Sequence, residues 1–584
     1  MSDYIYSSTR QTKGVLSEQF KSIYKESVPD IFEYHGEWGS LAVSKQHYHG
    51  FLPFENDLHI FVVLGAPVLY FSNNDFLTAA DSNLATEKIY QRFVLENIMQ
   101  WENDISGPFT AILVNKKTSE ITLITDLMSF IPVYSKIDSK NVWFSTHVDA
   151  LANACNEQKN IDKVSVVDFI LTDVVTFPYT IYQNIRQISP GSVYNLYKKD
   201  LKQNIYWQPK ENFHFKNIKE AAIELRTGIQ NYVNTVTKDM SNIAQFISAG
   251  EDSRALSGIL PQNKNREAFV FLDSLNREGK IAKKIANAYD ASFNAGYRNK
   301  IHYFEILSEA SALVGAGHQY IHAHSLGFHK KFNFSEYPVV FGGYLSDSLL
   351  KGQYVPKIRG SSRFPFIPQW EVNRNSTNIK LEKSKKYIEN IVVEEIKKRK
   401  KVHFSFVDSI RPNTKNEWIV LYPANMRTTI PNFFSTRRLF RSYEPFLSNE
   451  SVKIAASVPT TWKLNRRLFN KAMKPFLKPS KWILHADGRL PYFSYIVNIP
   501  LQFLIWTYRQ FAKRLGFIKG NQGPWGEWPT VFSSQKWQEQ LNTLTKKVKL
   551  GYITKDLHEL MESNQLTSSQ KVNLMQILYF LNKE

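Results

Sequence analysis

Ser248, Gly250, Asp252 and Ser253 stand close together in the stretch Ser248-Ala249-Gly250-Glu251-Asp252-Ser253, between an apolar run and a segment of helical pattern. Small residues at a strand end let backbone N–H groups approach an anion, and the N-terminus of the following helix adds its dipole. The two hydroxyls can donate as well. Asp252 would repel a bare phosphate, so the loop makes chemical sense if Asp252 holds Mg2+, which bridges carboxylate and phosphate oxygens. A second stretch, Gly342-Gly343-Tyr344-Leu345-Ser346-Asp347, supplies another carboxylate, Asp347, beside Gly343 and Ser346. Either stretch alone is explained as well by helix capping, since Ser and Asp are good caps. Together, in order on one sheet, they point to a nucleotide–magnesium site.

The elements that must position these residues are strands alternating with helices. IAQFIS leads into the first loop, SRALSGIL continues as a helix, EAFVFLD is a second strand, REGKIAKKIANAYD a second helix, and YPVVFGG a further strand ending in glycines. That alternation predicts a parallel sheet covered on both faces, with ligands bound beyond the carboxyl ends of its strands. Residues 58 to about 150 read as β-rich, and Ile161–Leu196 as loop and strand. Beyond about residue 400 the chain reads as mainly helical. The fold class expected is α/β, with a β-rich N-terminal domain over 1–200 and a doubly wound domain with a helical C-terminal part over 215–584.

The 584 residues exceed what one core holds, and 43% hydrophobic with 22% charged residues is a globular composition. A single cysteine, Cys155, excludes an internal disulfide framework and suits a reducing cytoplasm. No apolar signal region follows the N-terminus MSDYIYSSTRQTKG, so no secretory leader is expected. The net charge is +20, with a dense run at Lys397-Lys398-Arg399-Lys400-Lys401 that reads as the solvated end of a helix. Neither zinc-finger spacing nor an RNA-binding signature is present, so no nucleic-acid partner is expected. The most apolar late segment, Phe493–Trp506, is followed by Arg509, Lys513 and Arg514. It is shorter than the roughly 20 residues of a membrane span, and reads first as a buried helix and second as a peripheral membrane contact.

Five stretches, in order, resemble the asparagine synthetase family. Ser248–Ser253 is similar to its SGGxDS pyrophosphate loop, with Ala249 at the usual first Gly, and Gly343–Asp347 to its GEGxD or GYGxD loop. GPFTAILVNKKTSEITLITDLMSFIPVYS resembles the run from G-x-F-A to RDxxGxxPLYY, and TIYQNIRQISPGSVYNL the linker ending in PG. YEPFLSNESVKIAASVP, Tyr443–Pro459, is similar to RxPFLDxxLVExAxxlP. The resemblance spans roughly residues 58–495 and implies an Ntn-hydrolase-like α+β sandwich followed by an ATP-pyrophosphatase domain. It implies ATP and Mg2+ as cofactors and an AMP-forming amide ligase. Ser248, Ala249, Gly250, Asp252, Ser253 and Gly343 would hold ATP and pyrophosphate, with Asp252 and Asp347 on the metal and the Leu272 backbone at adenine. Lys481 and Arg489 are both candidates for the family's basic residue on phosphate.

Beyond Ala249, the chain departs from the family in three further places. Glutamine-hydrolysing members carry Cys directly after Met, whereas here the order is Met1-Ser2-Asp3 and the cysteine lies at 155. Only DYIY separates Ser2 from a polar stretch, too little for the strand the family's nucleophile opens, so Ser2 reads as an ordinary terminal residue. The N-terminal domain, residues 1–200, is therefore expected to be a degenerate class II glutamine-amidotransferase-like scaffold without glutaminase, with ammonia coming from a separate amidotransferase. Leu345 replaces the family's Gly, and Tyr344 replaces the Glu of ordinary asparagine synthetases but matches β-lactam-forming members, where it would relay a proton. Two alternatives stay open: an intramolecular cyclase of β-lactam or lasso-peptide type, and an inactive ATP-binding scaffold. The acyl substrate is a small-molecule, sugar or peptide carboxylate, and a homodimer is compatible. Trp525 and Trp528, in GPWGEWP, could stack on sugars or pack internally.

Overall fold

The computed structural model describes residues 3–582 except 26, 140, 199, 362, 373–376 and 519, and of 377–380 the backbone alone. Ser2 lies outside the described residues.

Two six-stranded sheets, antiparallel throughout, occupy the first third of the chain. One runs in the order Arg186–Gln187, Tyr134–Ile137, Val142–Ser145, Tyr4–Ser7, Gly39–Ser44, Ile31–Gly36. The other runs Asp200–Ile205, Ser192–Tyr197, Ile121–Thr125, Phe109–Asn115, His59–Gly65, Phe54–Glu55. Alternation along the strands explains why they stack. Ile60, Val62 and Leu64 face Tyr4, Tyr6, Leu41 and Val43 in a core shared by the two sheets, while Phe61 and Val63 point the other way into a second core. Side chains two apart share a face, so each buried strand serves two cores.

The DYIY stretch is the centre of this sandwich. Tyr4–Ser7 pairs on both sides, with Val142–Ser145 and with Gly39–Ser44. The expectation that the residues after Ser2 are too few for the first strand is therefore wrong. Four residues buried on both faces suffice when neighbours satisfy every backbone group.

The later sheet is parallel, in the spatial order Ser292–Tyr297, Asn265–Leu272, Asn242–Phe246, Val340–Phe341, Ser442–Tyr443. Along the chain that order is third, second, first, fourth, fifth. The direction of winding reverses between Asn242–Phe246 and Val340–Phe341, and such a reversal opens a crevice beyond the carboxyl ends. The two loops singled out in the sequence follow those two strands.

Three local readings are corrected. Lys163–Thr172, within the segment read as loop and strand, is a helix capped by the Asp162 side chain on the Val164 N–H. Its β-branched residues suggest a strand, but Val166, Val167, Phe169 and Ile170 pack in the core shared with the C-terminal helix Ser568–Leu581, and packing overrides propensity. The basic run lies within the helix Asn390–Ile410, not at its end. Arg399 pairs with Asp162 at 2.5 Å and Lys400 with Asp168 at 2.9 Å, so part of the run is a docking face rather than solvated. The segment read as a buried helix forms Tyr495–Arg514, in which only Asn498, Gln502 and Ala512 are buried. Most of its large apolar residues, Ile496, Val497, Phe503, Leu504, Tyr508 and Phe511, are exposed, while Ile499, Leu501, Ile505 and Trp506 are half-buried.

Candidate functional site

The loop Ser248–Gly250 joins the strand Asn242–Phe246 to the helix Glu251–Ile259, with Gly250 in the N-cap position. It is folded on itself. Ser253 Oγ accepts the Ser248 N–H at 3.1 Å, Ser248 Oγ accepts the Gly250 N–H at 3.0 Å, and the hydroxyls lie 3.0 Å apart. The Ala249 N–H donates to Glu278 Oε1 at 2.7 Å. A phosphate entering here would take over donors that now serve the loop's own serines and Glu278.

The second loop meets the first because it carries no side chain at the contact. A Cβ on Gly343 would stand 3.2 Å from Asp252 Cβ and 3.4 Å from the Ser253 nitrogen. Next to it, Leu345 has φ 66°, the left-handed region in which a non-glycine residue costs roughly 1–2 kcal/mol. Here the buried Leu345 side chain, 5% exposed within the main core, offsets part of that strain.

One oxygen from each of Glu251, Asp252 and Asp347 lies within 4.8 Å of the others, a hard-oxygen donor set of the kind divalent cations take. At its centre is a residue the sequence reading did not single out. Lys351 Nζ lies 2.5 Å from Asp252, 2.5 Å from Asp347 and 3.1 Å from Glu251. Burial opposes the charge of this lysine, but the three carboxylates carry its pKa above the ordinary lysine range. Burial pushes Asp252 up to about 6; Lys351 pulls it down, while Asp347 and Glu251 push with burial.

Glu251 ties the loop to a basic cluster. Arg466 Nε donates to its Oε1 at 2.7 Å and Arg489 reaches the same oxygen at 3.1 Å. Burial alone would raise Glu251, yet Arg489, Lys351 and Arg466 hold it well below the usual carboxylate range. Arg489 is in turn gripped by Asp487 at 2.7 Å, in the turn that Arg254 fixes from below by donating to the Ile483 carbonyl at 2.6 Å. Of the two basic candidates, Arg489 reaches the loop. Lys481 Nζ lies over the Trp482 ring at 5.5 Å. Beside Arg466 and Arg489 opens a cavity of about 270 Å³, walled also by Phe366, Asn470, Phe493 and Gln502.

Tyr344 is half-buried, and its hydroxyl donates to Thr429 Oγ1 at 3.0 Å. Burial raises its pKa well above the usual tyrosine value, against a smaller pull from Arg427. The nearby carboxylate, Glu444, accepts the Tyr344 backbone N–H at 2.9 Å. Burial pushes Glu444 up to about 7. Leu272 ends its strand with its carbonyl accepting the Arg298 N–H at 2.8 Å. Trp525 packs on His324 at 4.3 Å and Trp528 on Tyr303 at 5.2 Å, so both aromatics of GPWGEWP have protein partners.

Glu251, Lys351 and Arg466 are the residues the sequence reading missed. Lys351 had one signal, its position four residues after Asp347, where an ion pair across one helical turn is expected. Arg466 had none, since it arrives from a distant helical region.

Fold and site together define a mixed α/β protein in which an antiparallel sandwich adjoins a parallel sheet with an acidic loop pair at its winding reversal. Within it, residues 70–207 match the family described as glutamine amidotransferase domain. No curated protein matches the chain in sequence. Among solved structures it is similar to the allosteric regulatory enzyme of purine biosynthesis, at 8% identity and TM-score 0.26, over 51% of this chain and 80% of that one. It is also similar to the glutamine phosphoribosylpyrophosphate amidotransferase from B. subtilis complexed with ADP and GMP, at 7% identity and TM-score 0.26, over 50% and 90%.

Proposed function

We propose that this chain is an ATP- and magnesium-dependent enzyme that activates a substrate carboxylate as its adenylate and passes the acyl group to ammonia or an amine. A carboxylate oxygen attacks the α-phosphorus and the bond to pyrophosphate breaks. Nitrogen then attacks the acyl carbon, the bond to AMP breaks, and nitrogen loses a proton. The observation that carries this reading is the meeting of Asp252 and Asp347 at the winding reversal of the parallel sheet, through the bare Cα of Gly343. The match of residues 70–207 to a glutamine amidotransferase domain supports amide nitrogen as what is transferred.

Asp252 and Asp347 would hold Mg2+, which would offset the charge of the departing pyrophosphate. Ser248, Gly250 and Ser253 would turn their donors from each other to phosphate oxygens. Arg489, fixed by Glu251 and Asp487, would present its guanidinium to a phosphate, and the adjoining cavity, lined also by Arg466, would take a substrate carboxylate with an apolar portion. Nitrogen would come from a separate ammonia source rather than from glutamine cleaved by this chain.

A second reading, a non-catalytic nucleotide-binding scaffold, is favoured by Lys351, which fills the cation position among the three carboxylates. ATP–pyrophosphate exchange over a panel of carboxylates separates the two. On the catalytic reading exchange occurs and falls by about 10²-fold or more in Asp252→Asn and in Asp347→Asn, without glutamate release from added glutamine. Wild-type rates in both variants would remove the site assignment; no exchange with any carboxylate would leave the scaffold.

A further inference from the structure

The helix Tyr495–Arg514 is built inside out. Its buried positions include Asn498 and Gln502, while Leu504 is 64%, Tyr508 70% and Phe511 59% exposed. Ile496 and Val497 extend the same exposed stripe at helical spacing, Leu515 and Phe517 continue it past the helix end, and Phe503 at its border packs on Phe366. The inner face explains why the helix stays in place. Asn498 Oδ1 accepts the Leu490 N–H at 2.7 Å, and its amide donates to the carbonyls of Leu490, Phe493 and Ser494 at 3.0–3.1 Å. Anchored through an amide, the helix leaves its apolar face to whatever lies outside. A stripe of this extent is not ordinary surface scatter.

Charge says what lies outside. From Gly488 to Gly526 the sequence contains no Asp or Glu, while Arg489, Arg509, Lys513, Arg514 and Lys519 are basic. Lys513 and Arg514 are exposed in the last turn, beside the apolar stripe. A second copy of the chain would bring the same basic helix end and a further +20 to this face, which opposes self-association through it. An anionic surface with an apolar interior satisfies both halves of the pattern. No helix among the described residues is long and apolar enough to cross a membrane, so the geometry is that of a helix lying in the interfacial plane.

We propose that the protein docks on an anionic lipid bilayer through the outer face of Tyr495–Arg514, its apolar stripe entering the headgroup boundary and Lys513 and Arg514 meeting lipid phosphates. The inner face of the same helix borders the cavity beside Arg489, through Asn498 and Gln502, so docking would set that cavity close to the membrane surface. The docking itself stands independently of the proposed chemistry.

The test is cosedimentation of the full chain with vesicles of phosphatidylcholine alone or mixed with phosphatidylglycerol. The expected result is binding to the mixed vesicles that falls as salt is raised, with weaker binding to phosphatidylcholine. The double variant Leu504→Asp with Phe511→Asp should bind on the order of tenfold less tightly or worse, with its thermal unfolding unchanged. Lys513→Glu with Arg514→Glu, which touches no apolar contact, should lose the preference for phosphatidylglycerol. Failure of the wild type to bind mixed vesicles, or equal binding by the aspartate variant, overturns the proposal. A dimer that the aspartate variant dissociates, without vesicle binding, would assign the face to a second copy and overturn it too.

Discussion

Lys351 shows how much a single side chain decides at this site. Its ammonium bridges three carboxylates, of which Glu251 is also held by Arg466 and Arg489, and a divalent cation at the same place would compete with it for Asp252 and Asp347. Removing the lysine leaves the half-buried Asp252 and the exposed Asp347 facing Glu251, which keeps Arg466 and Arg489, so the carboxylates repel with one counter-charge fewer. Lys351→Met is therefore expected to lower the thermal unfolding temperature in chelator by several degrees and to regain most of it in millimolar Mg2+, by preferential binding to the folded state. Equal melting with and without Mg2+ would show that the cluster does not take a metal. Tyr344 makes the opposite point, because its type suggested more than its surroundings support. Its hydroxyl is spent on Thr429 and burial makes its ionisation harder, whereas a proton relay needs a phenol that ionises near the working pH. The expected outcome is that Tyr344→Phe keeps ATP–pyrophosphate exchange and amide formation within about threefold of wild type, a loss well under 1 kcal/mol. Slowed amide formation with intact exchange would restore the relay and with it the cyclase reading.

Elements were legible in the sequence where period and punctuation agreed. The strand Asn242–Phe246, the loop after it and the helix Glu251–Ile259 follow from an apolar run, small residues and a capping Gly250 in that order. The sandwich strands His59–Gly65 and Phe109–Asn115 follow from β-branched runs. What remained illegible was whatever depended on a partner element. Lys163–Thr172 looks like a strand until the helices Ser568–Leu581 and Asn390–Ile410 are placed against it, and the basic run looks solvated until Asp162 and Asp168 are placed beside Arg399 and Lys400. The Tyr495–Arg514 stretch is the sharpest instance. Hydropathy alone assigns it to a core, since apolar residues prefer the interior. Here Asn498 gains a complete set of hydrogen bonds on the inside, and no sequence pattern announces an inward amide. The loop pair at 248–253 and 342–347 was legible as chemistry, but the cavity wall from Phe366, Arg466 and Asn470 was not, because those residues converge from separate parts of the chain.

At the scale of the molecule, the sandwich and the parallel sheet are joined by buried polar contacts as well as apolar ones. One core takes in Phe61 and Ala111 of the sandwich, Leu225 and Ile229 of the helix Ile218–Thr237, and Ile243 and Phe341 of the parallel sheet. The Tyr48 hydroxyl donates to the Ser442 carbonyl at 2.9 Å, on the edge strand of that sheet. A further polar link starts at Asp3. Its carboxylate, fully buried, receives Arg438 at 2.7 and 2.8 Å, Arg437 at 3.0 Å, Tyr24 at 2.7 Å and Thr146 at 2.8 Å. The two arginines belong to the helix Pro431–Leu439, which runs into the edge strand Ser442–Tyr443. Burial alone would raise the Asp3 carboxyl, but Arg438 and Arg437 hold it well below the usual range. A carboxyl with a depressed folded pKa stabilises fully above its unfolded value, about 3.9, and loses that contribution as pH falls through the lower folded value. Asp3→Asn removes a buried negative charge that Arg438 and Arg437 both contact, so it is expected to destabilise the protein by about 3–5 kcal/mol near neutral pH. The gap between wild type and variant should then narrow as pH drops below about 4, where the wild-type carboxylate begins to lose its advantage. Thermal unfolding of both proteins across that range measures it. A gap of constant size at every pH would mean that Asp3 acts through packing and hydrogen bonds alone, and that its charge does not join the two regions.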